Sequence, residues 1–201
     1  MGKAARIEEI HLLTVEEFLA TPQSEFGPAW RYELVDGVPV AQAGPSREHA
    51  QILNNLSGII STRLWGSATC EPLTGAPAIP RGKGRRNARI PDATIECGAG
   101  ADKTVIMFEV VSPADDVGTT LREQRRKDLK DVPGAALIIE IRQDAPAVHV
   151  HRRVGDFWAY DDIVGIGETL RIEAIPLEIA LSDIYHRLFE LPVEKAGPEQ
   201  E

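Results

Sequence analysis

The chain has 201 residues, 43% of them hydrophobic and 26% charged, a composition that fits a folded protein with one core and excludes a disordered or fibrous chain. No apolar run approaches the roughly 20 residues of a membrane helix, the opening MGKAARIEEIHLL does not read as a signal peptide, and Cys70 and Cys97 form no C-x-x-C pair, so a reduced, cytoplasmic protein is expected. A net charge of −9 argues against wholesale electrostatic binding of nucleic acid, although Arg81, Lys83, Arg85, Arg86 and Arg89 make a local basic patch that composition alone reads as a solvated hairpin tip.

The first element opens at Thr14. Thr14-Val-Glu-Glu17 has capping-box spacing, in which the hydroxyl and the carboxylate satisfy orphan amides reciprocally. Phe18 and Leu19 follow, and Pro22 ends a short helix. Tyr32-Glu-Leu-Val and Val-Pro-Val flank Asp36-Gly37, a strong hairpin signal. Gly44-Pro45 breaks the chain. Ser46 then caps a helix to about Leu64, with Ile52, Leu53, Leu56, Ile59, Ile60 and Leu64 on one apolar face and His49 on the same side. Strands are predicted at 67–73, 88–97 and 103–112, a second helix at about 119–131, and strands at 136–142 and 147–154. Phe157–Tyr160 and Thr169–Ile172 read as shorter strands, and Ser182 as the cap of a last short helix. Residues 12–190 read as one mixed α/β domain, with 1–11 as an N-terminal extension and 191–201 as a polar tail. No glycine-rich phosphate loop is present, since GKGRR lacks the required spacing.

Val105–Val111 is apolar on both faces, the mark of a central strand. Glu109 interrupts it. An ionised carboxylate there costs several kcal/mol unless it is compensated, so Glu109 reads as a salt-bridge partner of an arginine, a metal ligand or an acid of raised pKa. Asp92 follows Pro91, whose missing amide interrupts the ladder just before the acid. A short connection makes these two strands an antiparallel pair. If the carboxylates share a face, a divalent ion would relieve their repulsion, and hard oxygens suit Mg²⁺ or Mn²⁺. Glu140 is a rival acid in an apolar strand and reads as structural. His149 and His151 alternate on one face without a third ligand in view and read as ordinary strand residues. Trp65 and Trp158 read as packing residues.

Four motifs now stand in order: Y-E-L-V-D-G at 32–37, S-x-x-H at 46–49, I-P-D at 90–92 and F-E-V-V-S-P at 108–113. Together with the T-V-E-E-F-L opening, they resemble the Uma2 family of restriction-endonuclease-like proteins, within the PD-(D/E)XK nuclease superfamily. The resemblance covers about residues 12–190. It implies a restriction-endonuclease-like fold, a central mixed β-sheet flanked by helices. It also implies that Asp92 and Glu109 ligate a divalent metal, with the Val110 carbonyl as a further ligand. Glu33 would add an acid from the first hairpin, and His49 would face the same cleft. The superfamily's lysine, two residues after the acid, is replaced here by Val111. Relatives move that lysine onto the following helix, where Arg125 stands in this chain. Lys127 would take the role if the register slipped. Arg125 can stabilise phosphate charge but cannot readily deprotonate water.

The resulting expectation is a Mg²⁺- or Mn²⁺-dependent endonuclease acting on DNA. Arg81, Lys83, Arg85, Arg86 and Arg89 are the candidate phosphate contacts. A homodimer is expected only by analogy of fold. The alternatives are a nuclease-fold module without activity, serving in assembly or nucleic-acid binding, and a metal-dependent hydrolase acting on a smaller phosphate substrate.

Overall fold

The computed structural model describes residues 11–82, 85–100, 103–113 and 119–189. Lys83, residues 1–10 of the expected extension and residues 191–201 of the expected tail lie outside the described residues.

The capping box forms as read: helix α1 (Val15–Ala20) starts at Thr14, whose hydroxyl accepts the Glu17 amide while the Glu17 carboxylate accepts the Thr14 amide. Strands β1 (Arg31–Val35) and β2 (Val38–Gln42) pair antiparallel across Asp36 (φ 49°) and Gly37 (φ 86°). Two successive left-handed residues make the turn that matches hairpin twist. Helix α2 (Arg47–Leu64) is capped by Ser46, whose hydroxyl accepts the His49 amide at 3.0 Å. Ile52, Leu56 and Ile60 are its fully buried stripe.

The main sheet runs in the order β3 (Cys70–Thr74), β4 (Ala93–Cys97), β5 (Thr104–Val111), β6 (Ala135–Arg142), β7 (Ala147–Val154), β8 (Phe157–Val164). Only β5 and β6 pair in parallel; the other neighbours are antiparallel. The crossover between β5 and β6 carries α3 (Thr119–Lys130). It ends in a turn at Gly134, where φ is +77° and a Cβ would lie 2.3 Å from the Lys103 carbonyl oxygen. Only glycine fits that approach. Strands β9 (Thr169–Ile172) and β10 (Leu177–Ala180) form a separate hairpin followed by α4 (Leu181–Ile184). The α4 cap is Ala180 with no side-chain bond, so Ser182 is not the cap that its residue type suggested.

Strand alternation divides the core. Ile106, Phe108 and Val110 of β5, with Ile139 and Val148, pack on α2, α4 and the β9–β10 hairpin. Val105 and Met107 face the opposite side, toward Leu129 of α3. Tyr185 fastens the β6–β7 turn, its hydroxyl 2.8 Å from the Arg142 carbonyl and accepting the Ala147 amide at 3.2 Å.

Two expectations need correction. Cys70 and Cys97 are not free thiols but form a disulfide, because the β3–β4 register sets them directly opposite each other across 27 residues of sequence. Trp65 does not pack: it lies beyond the end of α2 and is 89% exposed. Trp158 is packed, with Arg153 stacked 4.7 Å over its ring. No described helix is long and apolar enough to cross a membrane.

Candidate active site

The site forms at the end of β4 and β5 on the face covered by α3. Ala93 pairs with Phe108, which sets Asp92, the residue just before β4, beside the Phe108–Val110 stretch of β5 that carries Glu109. Pro91 donates no amide. Asp92 compensates from its side chain, with Oδ2 accepting the Val110 amide at 2.8 Å while its own amide donates to the Phe108 carbonyl at 3.1 Å.

Alternation in β1 supplies the next members. Tyr32 and Leu34 are buried against Val15 and Phe18 of α1, which turns Arg31 and Glu33 to the other side. Glu33 is fully buried. It accepts the Ile90 amide at 2.8 Å, Arg89 at 3.2 Å, and a short hydrogen bond from Arg125. Arg31 donates to Asp92 Oδ1 at 3.2 Å, and His49 Nε2 lies 3.4 Å from the same oxygen. His49 reaches it from the first turn of α2.

Arg125 joins the two halves. Its Nη2 lies 2.9 and 3.0 Å from the two Glu109 oxygens and 3.1 Å from the Ile90 carbonyl, and its Nη1 binds Glu33. Helical spacing puts Arg122, Arg125, Arg126 and Leu129 on the face of α3 toward the sheet. Lys127 falls off that face and is exposed, away from the acids. The register of α3 therefore presents Arg125 to Glu109, and the slip that would have presented Lys127 is absent.

Electrostatics follow from this packing. Burial pushes the Glu109 carboxyl up to about 8, Arg125 opposing it and the charges of Asp92 and Glu33 adding to it. Burial also acts on Asp92, but His49, the Val110 amide and Arg31 outweigh it and hold that carboxyl below its ordinary value. Glu109 and Glu33 hold the Arg125 guanidinium firmly charged against the cost of its burial.

The basic segment divides. Arg89 is 5% exposed and donates to Asp128 at 2.9 and 2.7 Å as well as to Glu33, so it cannot serve as a surface phosphate contact. The cause is the pairing of Ala88 with Leu34 and of Arg89 with Ala78, which draws this stretch into the core. Arg81, Arg85 and Arg86 are exposed, and Arg85 pairs with Glu16 at 3.0 Å.

Glu140 is the structural acid that the sequence suggested. Arg122 donates to it at 2.9 Å, Arg126 at 2.9 and 3.0 Å, and His151 lies 3.5 Å away. The histidine and the two arginines hold its carboxyl far below the usual range against the effect of burial. His149 pairs with Asp162 at 2.6 Å. Arg31 and Asp128 were not singled out from the sequence. Arg31 stands two residues before Glu33 on a strand, and Asp128 three after Arg125 on a helix, spacings that put each on its neighbour's face.

Among the described residues no three His, Cys, Asp or Glu side chains converge as a metal-holding group. The paired carboxylates still fit Mg²⁺ in kind, because that ion is commonly held by one or two carboxylates and completed by water and substrate phosphate.

No curated protein matches the chain. Among solved structures, one similar in fold is a protein from Anabaena variabilis described as "a putative nuclease belonging to DUF820", with a TM-score of 0.64 and 16% identity over 86% of this chain and 97% of that chain. The model of the Uma2 family, described as "Putative restriction endonuclease", matches residues 15–183, and the chain belongs to that family.

Proposed function

We propose that the protein is a divalent-metal-dependent endonuclease that hydrolyses phosphodiester bonds of DNA. The observation that carries this reading is the convergence of Glu33, His49, Asp92, Glu109 and Arg125, from five separate segments, around one pair of strand ends. Asp92 and Glu109 would hold Mg²⁺ or Mn²⁺, with the Val110 carbonyl beside them. The ion, when bound, would polarise the scissile phosphate and acidify an attacking water.

The chain's own groups supply the rest. Arg125 donates N–H groups to the phosphoryl oxygens on which charge develops. Glu33 is a positioning residue, since it holds Arg125 and the Ile90 amide together. A guanidinium does not take a proton from water. The imidazole of His49, anchored at Asp92, can.

Plasmid and linear duplex cleavage with Mg²⁺ and with Mn²⁺ tests the reading. Cleavage by wild type, lost with chelator and in Asp92→Asn and Glu109→Gln, supports it. No cleavage of duplex or single strands under any of these conditions overturns it in favour of an inactive nuclease-fold module, the reading that Arg125 at the lysine position favours.

A further inference from the structure

Resting on the nuclease reading, we infer that Arg125 occupies the metal's place in the free protein, so that a divalent ion enters only when nucleic acid draws the guanidinium away. Every carboxylate oxygen of the Asp92–Glu109 pair already has a partner. Arg125 lies on both oxygens of Glu109, Arg31 and His49 on Asp92 Oδ1, and the Val110 amide on Asp92 Oδ2. An ion added to this arrangement would share Glu109 with a cation that has not left.

Local charge supports the same order of events. Glu33, Asp92, Glu109 and Asp128 face Arg31, Arg89 and Arg125, so three guanidiniums already answer these carboxyl groups before any ion enters. A divalent ion alone would add two positive charges beside them. A phosphodiester brings negative charge and offers the guanidinium fork a matching partner. Arg125 is also freer to move than Arg89. Its side chain keeps 20% exposure, whereas that of Arg89 keeps 6% and is pinned by two bonds to Asp128. The device makes the protein inert toward free metal and couples metal capture to substrate.

The test is Mn²⁺ binding followed by electron paramagnetic resonance on the full chain without nucleic acid. It compares wild type, Arg125→Ala and Arg125→Lys. The lysine variant keeps the charge but not the fork that spans Glu33 and Glu109, and it serves if the alanine variant does not fold. Either substitution should tighten Mn²⁺ binding at least about tenfold over wild type, within the range of measured site-to-site coupling. Asp92→Asn introduced into the same background should remove it. In wild type, Mn²⁺ should tighten binding of a phosphorothioate duplex, read by fluorescence anisotropy at fixed ionic strength, through the reciprocal coupling. If wild type binds Mn²⁺ alone as tightly as the variants, the inference fails and the nuclease reading stands. If none of the proteins binds Mn²⁺ with or without duplex, both fail.

Discussion

Glu140→Gln isolates the energetic weight of the charges beneath α3. Glu140 is 4% exposed, and both of its oxygens are engaged by guanidinium N–H groups at 2.9 to 3.0 Å. Glutamine keeps the shape, loses the charge, and turns an NH₂ donor toward arginine donors. Breaking a fully buried ion pair costs about 3–5 kcal/mol. Here the side chains of Arg122 and Arg126 retain 17% and 24% exposure and can rehydrate in part, which lowers the expected loss to about 2–4 kcal/mol. The sign with pH is fixed by the depressed carboxyl. Its contribution is full above the unfolded value of 4.5 and is lost as pH falls toward the folded value. Urea denaturation of both proteins between neutral pH and about pH 3 should therefore show a wide gap that narrows below about pH 4.5. Glu173→Gln, which removes an exposed partner of Arg152, is the control and should change little. A gap that is absent at neutral pH, or that does not narrow in acid, would refute the account of Glu140.

The remaining expectations concern neighbouring groups. Glu109→Gln should behave in the opposite sense. A carboxyl raised to about 8 makes wild type lose stability as pH climbs from 4.5 through about 8, so the variant should gain on wild type over that window in the same denaturation series. Asp128→Asn removes the negative charge that faces Arg89 in a fully buried pair and should cost about 3–5 kcal/mol in chemical denaturation. Reduction of the Cys70–Cys97 bridge, or replacement of both cysteines by serine, reopens a loop spanning 27 residues. It should lower stability by about 3–4 kcal/mol in the chain-entropy account, read from the urea midpoint with and without reductant.

Much of the fold was legible because its signals are local. The capping box at Thr14, the Asp36-Gly37 turn, the α2 stripe and the doubly buried β5 each rest on spacing within one element, and each forms as read. The antiparallel pairing of β4 with β5 was legible for a related reason, since a short connection between strands leaves few alternatives. Features set by distant contacts were not. Arg89 looks like its exposed neighbours until Ala88 pairs with Leu34, and Cys70 meets Cys97 only through strand register. The choice between Arg125 and Lys127 turned on helix rotation, which side-chain type alone does not reveal.

Helix α3 has an unusual hold on the sheet. Leu129 is its one buried apolar anchor among the described side chains, while Arg122, Arg125 and Arg126 grip Glu140, Glu109 and Glu33. A seat made of charge is strong at close range and has little oily adhesive to keep it shut once its partners are exchanged. Glu109 and Glu140 therefore share one lever: whatever unseats Arg125 tugs at the same rod that holds Arg122 and Arg126, and the Glu109 end of the row cannot be rearranged without the Glu140 end feeling it.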